Sequence, residues 1–427
     1  MILLIFGVFF TMLIAGFPLF ITMIGTAIAG FAYLGDITQF RLIIQQLYGG
    51  MSPFALLAIP YFILVGELMN SSGMSIRLLH FAEALVGHLK GGLGYITVVT
   101  SIVFSGINGS AAADASAVGS IMLPAMKKGG YPDSYAAGLV AGSSLIGPII
   151  PPSIFMILLG AMTATDVGGL FMAGIIPGLL LGVAFMIMHR SKAKKLNLPM
   201  VNAKFSYKKL FYATVSAMPA LIAPAIIIGG ILFGFMTPTE SGAVASLYVL
   251  IVGFVWTREL TIHGMLSALS NTIRLTSVIF LIIGGATVIG WLLAFEQVTQ
   301  AMSPLITHYA STPTQVLLLI SLITFIVGMF MEEIAVLVLL TPIFSPLAVA
   351  AGIDPLHFGI VMTLNITIAL ITPPMGACIY IVSSIGGVSL EKMFKNIWPF
   401  IIVALICQLL IIFIPNISLW LPHVFGY

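Results

Sequence analysis

Residues 104–114 read FSGINGSAAAD and residues 145–153 read LIGPIIPPS. Together they interrupt long apolar runs with glycine, asparagine, serine, an aspartate and paired prolines. On a wet surface, solvent satisfies such stretches. In hydrocarbon, each unpaired backbone amide or carbonyl costs several kcal/mol, so irregular backbone persists only where something else satisfies it. What surrounds these two segments therefore decides the fold.

They are surrounded by membrane spans. Of the 427 residues, 60% are hydrophobic and 7% charged, against about 25% charged in soluble domains. The stretches LIAPAIIIGGILFGF (221–235), VLLLISLITFIVGMF (316–330) and FIIVALICQLLIIFI (400–414) are apolar and uncharged, as spanning helices require. The N-terminal MILLIFGVFFTMLIAGFPLF has no basic n-region and no small-residue cleavage site, so it reads as a retained span. Cys378 and Cys407 lie in apolar runs and read as small buried hydrophobes.

Charge orders the spans. Fifteen of the sixteen Lys and Arg residues fall in a few gaps: Arg77 with Lys90, Lys127 with Lys128, a cluster from Arg190 to Lys209, Arg258 with Arg274, and Lys392 with Lys395. Only Arg41 stands apart. The positive-inside rule places these gaps in the cytoplasm. Spans are then expected at 2–15, 18–34, 52–70, 133–163 and 168–188, with a polar interfacial stretch at 71–90. The second half offers 212–235, 238–256, 275–295, 356–386 and 397–420. Segments 92–108 and 110–126 are short, both outer ends are basic, and the opening motif joins them. They read as a re-entrant hairpin whose polar tip stops inside the protein. Segments 314–328 and 334–349, joined by GMFMEEIA (328–335), read as a second.

The two halves align. IMLPAMKKGGYPDS (121–134) lies on IFSPLAVAAGIDPL (343–356) at an offset of 222, pairing Pro124 with Pro346 and Gly130 with Gly352. The same offset pairs Gly106 with Gly328 and Pro151-Pro152 with Pro373-Pro374. The expected fold is an all-α polytopic membrane protein of two inverted repeats, 1–188 and 210–427, joined by a basic cytoplasmic linker at 189–209. Each repeat has five spans, a hairpin (92–126 or 314–349) and a broken helix (133–163 or 356–386). Five is odd, so the halves insert in opposite senses and both termini lie outside. The second hairpin then opens outward, flanked by Glu296, His308, Asp354 and His357 and by no Lys or Arg. Inverted repeats with discontinuous helices are the sequence signature of a secondary transporter.

The interruptions then acquire a purpose. Freed carbonyls and hydroxyls suit a hard cation such as sodium, and helix N-termini suit an anionic group. Paired prolines stop a helix ladder and release the carbonyls of preceding residues, here Gly147 to Ile150 and Ala369 to Thr372. Tip and break together offer two ion sites: Ser105, Asn108 and Ser110 supply side-chain oxygens to one, Glu332 and Thr372 to the other. Substrate sits between the tips. A Gly- and Ser-rich membrane segment also suits close helix packing, but an intramembrane carboxylate such as Asp114 points to function or to an anchor for the tip. Of Glu332 and Glu333, one reads as ion-linked and one as structural. Glu240 follows Thr237-Pro238-Thr239 and reads as a helix-start carboxylate, and Glu67 as a span-end charge reaching water.

SGINGSAAADASAVGSIMLPAM (105–126), GPIIPPS, GFMTPTESGA (234–243), and GMFMEE followed by TPIFSPL (341–347) together resemble the large membrane subunit of tripartite ATP-independent periplasmic (TRAP) transporters over essentially the whole chain. The resemblance implies an elevator-type transporter in the bacterial inner membrane. It implies two partners, a small four-helix membrane subunit and a periplasmic binding protein that delivers an organic acid, and coupling to two or more Na+ ions. Asn108, Ser110, Gly147, Ile150 and Pro152 match one sodium site, and Gly328, Glu332, Ala369, Thr372 and Met375 the other. Asp114 matches an acidic hairpin position, and substrate contacts are expected at Asn108, Ser110, Asp114, Ser153 and Pro374. The family pattern has Ser at the place of Asn108 and Gly at that of Ala369, changes a carbonyl ligand survives. Glu333 is an additional acid without an assigned role. Sialic acid is the favoured substrate, with C4-dicarboxylates and other carboxylates as alternatives.

Other readings compete. A stand-alone dicarboxylate transporter or Na+/H+ exchanger of related architecture needs no partners. A membrane-embedded enzyme needs a nucleophile or metal set, and the sequence has no HExxH and no His or Cys cluster near its acids. A passive channel has no need of inverted halves with paired breaks.

Overall fold

The computed structural model describes residues 2–34, 40–201, 204–298, 300 and 310–427; His308 lies outside them. Helices α1 (Ile2–Ile14) and α2 (Leu19–Leu34) form a hairpin at Gly16, whose φ of +82° is the left-handed conformation glycine adopts without strain. α3 (Phe40–Met51) carries Arg41. It was not expected, because two glutamines and a Gly-Gly pair break its apolar run. α4 (Ala58–Ser71) and α5 (Met74–Val86) follow. Then come α6 (Gly92–Asn108) and α7 (Ala111–Lys128), α8 (Asp133–Ser143) and α9 (Ile154–Thr163), and α10 (Val167–Lys195).

The second half holds α11 (Tyr207–Leu232), α12 (Pro238–Val252) and α13 (Ile262–Phe295). These lead to α14 (Pro313–Gly328), α15 (Glu333–Ala350), α16 (Pro355–Ala369), α17 (Ala377–Gly386), α18 (Leu390–Phe413) and α19 (Asn416–Val424). No strand occurs among the described residues. Among the described residues, seven helical stretches are long and apolar enough to cross a membrane.

Boundaries moved where a polar stretch joined a neighbouring helix. The polar residues before 275 belong to α13, a single helix of 34 residues, roughly 50 Å long at 1.5 Å per residue. α10 continues through Arg190 to Lys195, taking the first residues of the expected linker. The last span begins at Leu390 and ends at Phe413, with α19 after it.

Helix starts are capped by their own sequence. Thr237 and Glu240 form a reciprocal capping box on α12, so Glu240 has the structural role its position predicts. Asp166 caps α10 and Asp354 caps α16. The Pro151–Pro152 and Pro373–Pro374 bonds are both cis.

Packing sorts the helices into two groups, which touch each other where α5 meets α6 and where α13 meets α15. α13 runs against α2, α3 and α4, while α11 packs on α5 and α12. In the other group the two halves interlock: α7 of the first packs on α17 of the second, and α15 of the second packs on α9 of the first. α18 lies on α8 and α10. Three basic gaps meet on one face. Arg77 pairs with Glu259 at 2.8 Å, Lys90 donates to Asn197 Oδ1 at 3.1 Å, and the Gly91 N–H donates to Pro199 O at 3.0 Å.

Candidate functional site

The first hairpin turns at Gly109, with φ +57°, and Ser110. A Cβ on Gly109 would lie 2.9 Å from Pro152 O, and one on Gly147 3.2 Å from Ser110 O. The tip therefore rests directly on the break between α8 and α9, and only glycine permits that approach. Within the break, Gly147 N–H donates to Ser144 O, and the Ile149 and Ile150 amides both donate to Ile146 O. Pro151 and Pro152 have no N–H to give. The Ser153 hydroxyl donates to Pro148 O and accepts from Met156 N–H, capping α9. The carbonyls of Gly147, Ile149 and Ile150 accept no hydrogen bond from any described residue. Pro148 is thus the exception among the four carbonyls expected to be free.

The second hairpin repeats this contact. A Cβ on Gly328 would lie 2.7 Å from Ala369 Cβ, and Met375 N–H donates to Met329 O at 3.3 Å. Glu332 Oε2 accepts from the Ile334 and Ala335 amides at 3.0 and 3.1 Å, so Glu332 caps α15. Thr372 Oγ1 donates to Ile368 O at 2.8 Å, which leaves its lone pairs free. Ala369 O is taken by Thr372 N–H and Leu370 O by Cys378 N–H, whereas Ile371 and Thr372 carbonyls accept from no described residue. Release of carbonyls at this break is therefore limited to its last two residues.

The interlocked packing brings the two tips into contact. Ser110 Oγ donates to Glu333 Oε1 at 3.1 Å, across 223 residues of sequence. Glu333 is 5% exposed, and its Oε2 has no hydrogen-bond partner among the described residues. Beside the tips lies a cavity of about 850 Å³. Ser110, Ala112, Ala113, Glu332 and Glu333 form one wall, and the start of α2, the end of α4 and residues 274–282 in the middle of α13 form the other. Glu67 and Arg274 line this second wall, and Asn271 donates to Glu67 Oε2 at 3.1 Å. Sequence reasoning takes Glu67 for a span-end charge reaching water and Arg274 for part of a basic cytoplasmic gap. Their signal was that each directly abuts an uncharged apolar run.

The remaining expected residues are placed differently. Ser105 donates to the Ser101 carbonyl of its own helix. Asp114 is 1% exposed, one turn behind the tip and off the cavity wall; neither carboxylate oxygen has a partner, nor has the Ser101 hydroxyl beside it, among the described residues. Ser153 is wholly buried, and Pro374 O accepts from the Tyr380 hydroxyl; neither lines the cavity. The Asn108 side chain lies outside the described residues. No cluster of three His, Cys, Asp or Glu side chains able to hold a metal occurs among the described residues. The donors at each tip are carbonyls, hydroxyls and carboxylates, a set that suits a hard cation.

Comparison with known proteins places this geometry in a family. Residues 6–417 match the family model described as the tripartite ATP-independent periplasmic transporter, DctM component. The chain is 40% identical over 420 residues to the sialic acid TRAP transporter large permease protein SiaM of Vibrio cholerae, covering 97% of each. It is 37% identical over 382 residues to the 2,3-diketo-L-gulonate TRAP transporter large permease protein YiaN of Escherichia coli, covering 90% of each. Among solved structures, the YdaH transporter of Alcanivorax borkumensis superposes with a TM-score of 0.67 at 13% identity, over 92% of this chain and 90% of that one, a likeness of fold.

Proposed function

The chain belongs to the DctM component family of tripartite ATP-independent periplasmic transporters, a multi-pass membrane permease and not an enzyme, and from this we propose that it imports an organic acid anion, sialic acid first, driven by sodium. The observation that carries the proposal is the meeting of two tips at one cavity, each tip resting on a break with free carbonyls. Carbonyls at Gly147, Ile149, Ile150, Ile371 and Thr372, with the Ser110 and Thr372 hydroxyls, supply the hard oxygens that two sodium ions need. Helix N-termini at the tips supply the positive end of a dipole for a carboxylate. The relative named for sialic acid shares 40% of its residues with this chain, which favours that substrate.

Orientation follows from charge. The face where Arg77, Lys90 and Arg258 gather is the cytoplasmic one, both termini are periplasmic, and 1–188 and 210–427 form inverted repeats. The cavity is bounded by the start of α2 and the end of α4, both on the basic side of the tips, and by residues 274–282 in the middle of α13. This arrangement is the inward-facing state of an elevator, in which the interlocked group (α6–α10 with α14–α18) moves against a scaffold of α1–α5 and α11–α13. A small membrane subunit and a periplasmic binding protein complete the transporter.

The test is uptake of radiolabelled sialic acid into proteoliposomes holding this chain and its small partner. Uptake that requires both the binding protein and an inward sodium gradient is the expected result. Uptake without either addition overturns the tripartite, sodium-coupled reading.

A further inference from the structure

The N-termini of both tip helices, α7 and α15, face the cavity, and they are treated differently. The amides at the start of α15 are already occupied by the chain's own carboxylate, since Glu332 Oε2 accepts from Ile334 and Ala335. The start of α7 has no side-chain cap, although its N-cap residue is serine, among the best capping residues known. Ser110 is in the extended conformation that an N-cap adopts, φ −136° and ψ 133°, yet its hydroxyl is turned to Glu333 Oε1 instead of to its own helix. Ala112 and Ala113, the residues whose amides such a cap would take, line the cavity. At the start of α9, by contrast, Ser153 does accept from the amide three residues on.

We propose that Glu333 is a positioning residue that draws the Ser110 hydroxyl away from α7 and so keeps the Ala112 and Ala113 amides open for the carboxylate of the substrate. The inference rests on the reading of the chain as an organic-acid permease and assigns the acid that sequence left without a role. A helix start leaves its first amides without intrahelical acceptors, and the dipole adds to their pull on an anion. A serine cap would satisfy one of them and screen the rest. Glu333 is 95% buried on the opposite tip, so it holds Ser110 only while the two tips are together. The open anion site therefore exists only when both halves of the binding site are assembled. Of the two tip helices only α7 keeps its amides for a ligand, so the substrate docks one carboxylate at the tips.

Uptake kinetics in proteoliposomes of the assembled transporter test this, with sialic acid, succinate and pyruvate as probes. Glu333→Leu removes the acceptor, and Ser110 is expected to return to its own helix. KM for the transported acid should then rise about tenfold, the equivalent of one charge-assisted hydrogen bond, with maximal rate much less affected. The melting temperature should not fall, because the helix gains a cap and loses a buried oxygen without a partner. Glu333→Gln keeps a carbonyl in the same place and should hold KM within about threefold of wild type. If Glu333→Leu does not fold, Glu333→Met, equal in length, takes its place in the comparison. Equal KM values in wild type and the apolar variant, or equal losses in the Gln and apolar variants, overturn the positioning role and leave the permease reading intact. Absence of carboxylate uptake by the wild type under every condition overturns both.

Discussion

Asp114 separates function from stability at a single position. Its carboxylate is buried beside the Ser101 hydroxyl, with no hydrogen bond of ordinary length to either oxygen among the described residues, an arrangement that costs free energy. Asp114→Ala is accordingly expected to abolish uptake while the melting temperature stays level or rises. A variant that loses its fold would make Asp114 an anchor for the tip. Ser110→Ala should likewise abolish uptake in folded protein, measured as flux against the monodisperse peak on size exclusion. The chemistry of such residues was legible because carboxylates and hydroxyls stand out in an apolar chain. Their directions were not. Sequence cannot tell that Ser153 spends its hydroxyl on Pro148 O, that Glu332 turns to its own helix, or that Ser110 reaches the other half of the molecule. Each of these choices is made among competing partners within a few ångströms, and for Ser110 the partner comes from a segment 223 residues away.

At the level of elements, turn chemistry carries the information. Gly109 is left-handed and lies against Pro152 O, so both its missing Cβ and its φ are required. Gly109→Val should prevent the tip from seating on the break, and the expected result is loss of transport with a lower melting temperature. The capping box on α12 provides a control far from the cavity. Thr237→Ala should cost about 1 kcal/mol, read as a lower melting temperature, with KM for the transported acid unchanged. Both hairpins and both breaks were visible in the sequence because prolines and glycines interrupt uncharged runs. α3 was not, since a 12-residue helix with two glutamines gives no spanning signal. The extent of α13 was hidden for a related reason: polar residues at 262–274 mark the end of the membrane, not the end of the helix.

Across the whole molecule, the proposed motion predicts that fixing the tips to the scaffold stops transport. Ala113 and Ile282 line opposite walls of the cavity. Cysteines placed at both, joined by a short bismaleimide, should reduce uptake by more than tenfold, while either cysteine alone should not. The native Cys378 and Cys407 are buried and unpaired, so their reaction with the reagent is slow. Undiminished flux in the cross-linked pair would falsify the elevator. The proposed duplication rests on one offset of 222 residues in the sequence. The interlocking of the halves was not legible there, because an alignment of two repeats says which segments correspond and nothing about which ones touch.

That interlocking sets an order of events during synthesis. α7 leaves the ribosome well before α17, and α9 before α15, yet each of these helices packs on the later one. The first hairpin therefore enters the bilayer without the surface it will finally rest on, its polar tip in need of water, lipid headgroups or a chaperoning insertase until the second half arrives. Residues 1–209 produced alone should be degraded or held by that machinery, and co-production with 210–427 should restore both fragments to the membrane. The arrangement that makes a single binding site out of two halves also makes completion of the chain a condition for its first half to be at rest.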